Sequence, residues 1–127
     1  METIKLVGTD DTPGIILDAQ NNIFEISGRS LPEDVAAFYS PILDWLEEYA
    51  ESPNDTTVVD FKLVYFNTAS SKLLLDVLLQ LEEMKEAGAD VKVRWHYPDD
   101  DEDMEEAGEE YSDIVEVPFE MIPYSLD

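Results

Sequence analysis

Residues 57–76, TVVDFKLVYFNTASSKLLLD, set the densest β-type run of the chain directly against a leucine-rich segment. Val58, Val59, Phe61, Leu63, Val64, Tyr65 and Phe66 are β-branched, aliphatic or aromatic. So dense an apolar run predicts a central strand covered on both faces. The spacing of Leu73, Leu74, Val77, Leu78, Leu81 and Met84 predicts a helix from about Ser70 to Ala87, ended by Gly88. Leu75 and Leu79 widen its apolar face beyond what one sheet needs, so either another helix or a partner is expected to cover them. A helix placed between strands of one sheet requires a crossover, which is right-handed for parallel neighbours.

The other segments read around this unit. Thr3 to Val7 is a weak strand, and GTDDTPG (8–14) is a loop of turn formers. Residues 15–18 and 23–28, joined by a turn over Ala19 to Asn22, predict an antiparallel hairpin. Ser30 stands three residues before Glu33, the spacing of a capping box, and Pro32 suits a first helical turn. The helix expected there carries Val35, Phe38, Tyr39, Ile42, Trp45, Leu46 and Tyr49 on one face, and Pro41 should kink or divide it, with Ser40 capping the second part. Val91, Val93 and Trp95 alternate with Lys92, Arg94 and His96 as a half-buried strand. An acidic segment (99–113) is expected to be a solvated loop or short surface helix, and Ile114 to Ile122 a last strand region limited by Pro118 and Pro123. Helices between strands give an α/β fold: a mixed sheet with helices packed against it, in a single domain over residues 1–127.

Charge narrows the partners. Thirty-one acids against seven bases give a formal charge of −24, which repels nucleic-acid phosphates and anionic membrane alike. Such a field either solvates the surface or steers basic protein surfaces toward it. There is no cysteine, so thiolate metal sites and disulfides are impossible. No apolar run approaches the ~18 residues of a membrane span, and METIKLVGTDD lacks the basic and apolar regions of a signal peptide, which together predict a cytoplasmic protein.

The chemistry-bearing patterns are few. The one histidine, His96, is expected mid-strand, and no nucleophile elbow exposes a serine. No glycine-rich phosphate loop is present, so nucleotide cofactors have no carrier. Asp99, Asp101, Asp103 and Glu110 imitate calcium-loop spacing, but Met104 occupies the place where the sharp turn requires glycine, and a run so acidic produces such spacing by chance. No catalytic residue, metal ligand or cofactor is expected. The seam at 67–72 remains. Asn67, Thr68 and Ser70 can each cap the helix, and that role needs only one of them. A phosphoryl group on a hydroxyl there would bring roughly −1.5 to −2 charges to the positive end of a helix macrodipole, with Lys72 about one turn beyond Thr68. The expected partner surface surrounds Asn67, Thr68, Ser70, Ser71 and Lys72 and extends along the following helix.

The stretch VVDFKLVYFNTASSKLLLD resembles the core of STAS domains, the anti-sigma-factor antagonist fold, in which an apolar strand with an early Asp enters a D-S-S-G-like turn and then a leucine-rich helix. Over nearly its full length the chain is similar to the SiaC family of bacterial regulatory phosphoproteins. The similarity is carried by TPGIILD (12–18), ISGRSLPED (26–34), FYSPILDWL (38–46), YFNTASSKLLLD (65–76), DDEDMEEAGEEY (100–111) and PFEMI (118–122). The resemblance implies a single STAS-like domain without enzymatic activity of its own. It implies phosphorylation of a threonine at the strand-to-helix turn, here Thr68, by a kinase related to anti-sigma-factor kinases, and dephosphorylation by a PP2C-type phosphatase. It further implies that the unphosphorylated form binds and activates a diguanylate cyclase, so that cyclic di-GMP and biofilm formation follow its state. Relative to ordinary STAS proteins, Asn67 replaces the Asp, Ala69 the second hydroxyl and Ser70 the Gly. The alternative implied by the wider fold is an antagonist that sequesters an anti-sigma kinase.

Overall fold

The computed structural model describes residues 2–125. Its elements run β1 (Ile4–Leu6), β2 (Gly14–Asp18), β3 (Ile23–Ser30), α1 (Val35–Tyr49), β4 (Thr57–Phe66), α2 (Thr68–Glu86), β5 (Val91–Pro98), α3 (Glu102–Ile114) and β6 (Phe119–Tyr124). The six strands form one sheet in sequence order. β1, β2 and β3 pair antiparallel, and β3 to β6 pair parallel, so the sheet is mixed as expected. The hairpin also forms as expected. Its turn is held by the Asp18 carboxylate, which accepts from the Asn21 backbone (3.1 Å) and side chain (2.7 Å). Those bonds hold the Asp18 carboxyl below the usual carboxylate range.

All three helices lie on one side of the sheet. Thr57, Val59, Phe61 and Leu63 of β4 are buried, whereas Lys62 and Val64 are exposed and Val58 and Asp60 only half-buried. The expectation that β4 is covered on both faces is therefore wrong. Its density of apolar residues reflects a central position and a strong strand preference, not a second helical layer. The open face carries a cross-strand charge ladder instead: Lys62 pairs with Glu25 (2.8 Å), Lys92 with Glu120, and Asp60 with both His96 (2.8 Å) and Arg94 (3.5 Å). His96 is thus a sheet residue held by an ion-pairing neighbour.

Aromatic rings fill the covered side. Phe24 packs on Trp45 and Tyr49 of α1, and Phe61 stacks on Trp95 with ring centroids 5.5 Å apart. Trp95 in turn meets Tyr111 of α3.

Four local expectations need correction. Ser30 does not cap α1. It ends β3 inside the core, and Asp34 caps the helix by accepting from Ala37 N at 3.1 Å. Of the two effects expected of Pro41, division of the helix does not occur: α1 runs 15 residues through it. Pro41 and Ala37 are both on the exposed side, so water can take the carbonyl whose helical donor is missing, while Tyr39, Ile42 and Trp45 hold the helix to the core. Of the two forms expected for the acidic segment, the helix is the one taken, from Glu102, but it is no mere surface helix: Met104, Gly108 and Tyr111 are buried against the core. The last strand begins at Phe119, not at Ile114, and Pro123 lies within it, which β6 tolerates as an edge strand.

Candidate functional site

Two irregularities aim the end of β4. Register shifts between Gly28 and Arg29, so that Leu63 faces Gly28 and Tyr65 faces Arg29, with Val64 as the extra residue. Gly28 has φ +83°, a backbone state that side chains other than glycine's resist. The bulge carries Ser30 and its neighbour Phe66 into the core side, where Phe66 packs against Trp95 and Tyr111.

The helix then starts two residues earlier than the sequence suggests. Among the three competent caps the structure selects Asn67, whose side-chain oxygen accepts from Ser70 N at 2.8 Å. The Asn67 carbonyl accepts the first helical bond, from Ser71 N (3.0 Å). Thr68 is consequently the first residue of α2. It is exposed, and its hydroxyl makes no hydrogen bond among the described residues.

Beneath this turn lies a buried relay of hydroxyls. Ser70 Oγ donates to the Ser30 carbonyl (2.8 Å), Ser30 Oγ donates to Ser70 Oγ (2.9 Å), and the Tyr39 hydroxyl completes the chain by donating to Ser30 Oγ (2.7 Å). Burial pushes the Tyr39 phenol up to about 12, opposed by its bond to Ser30. A second anchor comes from α3: Tyr111 donates to the Ser71 carbonyl at 2.7 Å. Burial first, then the neighbouring Tyr39 and Glu110, push the Tyr111 phenol well above its ordinary value. The first turn of α2 is thereby tied to β3, α1 and α3 at once.

The predicted surface residues separate under this geometry. Thr68 and Lys72 are exposed, and Asn67 and Ser71 half-buried. Ser71 turns its hydroxyl back to the Thr68 carbonyl (2.6 Å). Lys72 makes no ion pair among the described residues. Ser70 is fully buried, so it is removed from the contact surface and acts as an internal tie. Sequence reasoning missed Ser30, Tyr39 and Tyr111 as partners of the seam. For Tyr111 a signal existed, since Met104, Ala107, Gly108 and Tyr111 follow the i, i+3, i+4, i+7 spacing of a core-facing helix. For Ser30 none did, because its partner Ser70 is forty positions away.

The imitation calcium loop disappears for a geometric reason. Asp101 is the N-cap of α3, bonding Met104 N at 3.0 Å, and Asp103 and Glu110 lie within that helix. Their carboxylates cannot wrap one ion as a loop does.

Comparison with known proteins agrees with this architecture. The family model described as SiaC family regulatory phosphoprotein matches residues 6–124. An uncharacterised protein of Pseudomonas aeruginosa strain UCBPP-PA14 is 33% identical over 119 residues, covering 94% of each chain. The structure of SiaC of Pseudomonas aeruginosa superposes with a TM-score of 0.88 at 31% identity, covering 98% of this chain and 100% of that one. A further similar chain, with a TM-score of 0.89, 31% identity and coverage of 95% and 99%, comes from the crystal structure of the diguanylate cyclase SiaD in complex with its activator SiaC from the same organism.

Proposed function

The chain belongs to the SiaC family of regulatory phosphoproteins, and from that membership we propose that it is a non-enzymatic switch whose phosphoacceptor is Thr68. The observation that carries this reading is the contrast within one turn: the Thr68 hydroxyl is exposed and unbonded among the described residues, whereas that of Ser70 is buried and committed to Ser30. A kinase related to anti-sigma-factor kinases transfers the γ-phosphoryl of ATP to Thr68, and a PP2C-type phosphatase removes it. The unphosphorylated form binds and activates a diguanylate cyclase, which links the switch to cyclic di-GMP and biofilm formation. The complex of SiaD with its activator SiaC supports that choice of partner.

The geometry suits a reversible mark. A phosphate at the first residue of α2 meets the positive end of the helix macrodipole and the free amides of its first turn, and Lys72 lies one turn further on. Because Asn67, Ser70 and Tyr111 hold that turn from below, the local fold tolerates the modification. A partner pressed against the same turn must accommodate a hydrated dianion, so the complex weakens.

The test is phosphorylation by the candidate kinase with ATP, mapped by mass spectrometry, followed by cyclase assays with the wild type, Thr68→Ala and the phosphorylated protein. Modification confined to Thr68, with activation by the wild type and Thr68→Ala and its loss after phosphorylation, is expected. Phosphate at another residue, or activation indifferent to phosphate on Thr68, overturns the reading.

A further inference from the structure

Among the described residues, sheet and helices leave a strip of apolar surface uncovered beside the start of α2. Between the end of β4, the start of α2 and the length of α3 lie two depressions of about 300 Å³ each, which share Phe66 and Ala107 as lining residues and so form one trough. Val64, Tyr65 and Met104 line one end, and Leu75, Tyr111 and Ile114 the other. α3 has 13 residues, so the trough runs roughly 20 Å, about the length of a partner helix of the same size. Seven large apolar side chains stay exposed among the described residues, and four of them are on or beside this strip: Val64, Tyr65, Ile114 and, one turn beyond Leu75 on α2, Leu79. Scattered exposure is ordinary, but concentration along one trough marks a contact surface.

Charge identifies the occupant. Asp101, Asp103 and Glu110 line the trough, and the one base among its lining residues is Lys72. A second copy of this chain would bring a further −24 charges to an already acidic rim, which disfavours self-association. We propose that the trough docks an amphipathic helix of a partner protein, with an apolar stripe on the trough floor and lysines or arginines along the flank that faces α3.

The proposal rests on the Thr68 reading in one respect, the way phosphate acts. Ser71 and Lys72 line the trough, and Thr68 precedes them on the same rim. A phosphate there adds negative charge to a rim that already attracts a cationic flank, so charge repulsion is not what separates the partners. The phosphate acts by its hydrated bulk against the apolar stripe and by drawing Lys72 toward itself. Basal affinity therefore falls as salt rises, while the loss caused by phosphate persists at high salt.

The full-length protein is titrated with an 18-residue amphipathic peptide, leucines at i, i+3, i+4 spacing and lysines elsewhere, and amide shifts are followed by NMR. Shifts confined to residues 64–75 and 104–114 are expected. Asp103→Lys with Glu110→Lys should weaken binding about tenfold or more, whereas Glu47→Lys with Glu48→Lys on α1, the same change in charge, should leave it within about twofold. If the reversal unfolds α3, Asp103→Asn with Glu110→Gln serves in its place with a smaller loss. Shifts spread over α1 or the open sheet face, equal losses in the two double variants, equal binding of a leucine and glutamate peptide, or dimerisation of the protein through residues 104–114 would each overturn the proposal. A diguanylate cyclase is run in parallel. Failure to bind the cyclase while the peptide maps to the trough removes the proposed function and leaves the trough standing. Cyclase binding that ignores both trough variants, with the peptide mapping elsewhere, removes the trough alone.

Discussion

The N-termini of α2 and α3 are built on one plan and charged in opposite ways. Both are capped by an Asx side chain that accepts from the backbone N–H three residues on, Asn67 from Ser70 at 2.8 Å and Asp101 from Met104 at 3.0 Å. α3 then places Glu102, Asp103 and Glu105 in its first turn, whereas α2 has no acid there and a neutral cap. In a chain with 31 acids, the start of α2 is thus a gap in the negative surface. α3 already satisfies its macrodipole with its own carboxylates, but α2 leaves that interaction open to an anion placed there. Their anchoring differs as well. α2 is tied down by polar bonds to Ser30 and Tyr111, and α3 by close packing on Trp95, whose ring N–H donates to the Met104 carbonyl at 3.0 Å.

The comparison breaks most severely at Gly108. A Cβ there would stand 2.5 Å from Trp95 Cδ1 and 2.8 Å from Met121 Cε, so Gly108→Val is expected to destabilise by about 3 kcal/mol through overpacking, read by denaturant unfolding. An unchanged midpoint would mean that α3 is not held by contact with Trp95. Ser70→Ala comes next, at about 2 kcal/mol, because the Ser30 hydroxyl loses its acceptor in the core. If α2 were anchored only by its cap, Ser70→Ala would cost almost nothing.

The polar anchor also has a pH signature. Tyrosine ionises near 10 when unfolded, and burial raises Tyr39 to about 12 and Tyr111 upward as well. The native state therefore holds more protons in the interval, so this contribution is complete below about pH 10 and is lost as pH rises toward about 12. Unfolding measured from pH 9 to 12, beside the tyrosine absorbance titration, checks the sign. Stability rising with pH in that window would contradict it.

Smaller effects sharpen the contrast between the two caps. Asn67→Ala should cost about 1 kcal/mol in thermal unfolding. Exchanging the cap charges should move stability in opposite directions by about 0.5 kcal/mol each, Asn67→Asp stabilising and Asp101→Asn destabilising, both attenuated by salt. Two shifts of the same sign would show that the helices do not differ in unsatisfied dipole.

Much of the fold was legible because its signals are local. The β4-to-α2 transition, the hairpin at Asp18 to Ile23 and the alternation of β5 depend on neighbours two to four residues apart. Gly88 is equally local: it takes φ +106° just after α2, and the Ala89 N–H bonds back to the Met84 carbonyl at 3.0 Å. Where local patterns compete, the reading failed. Ser30 and Glu33 have capping-box spacing, yet strand pairing extended through Gly28 and took Ser30 into the core. The acidic run looked solvated because its charges outnumber the four positions that pack on Trp95 and β6.

By itself the sequence determined the order of elements, the absence of cysteine chemistry, the acidic field and a seam of hydroxyls between β4 and α2, since periodicity, composition and adjacency are properties of the chain. The tertiary structure alone decided that the helices cover one face of the sheet. It also decided that Ser70 is committed to Ser30, and through it to Tyr39, that Thr68 is exposed on the surface, and that α3 walls a trough beside it. Those distinctions rest on side chains tens of positions apart meeting in a low-dielectric interior, where an unpaired hydroxyl is costly and a paired one is held in place.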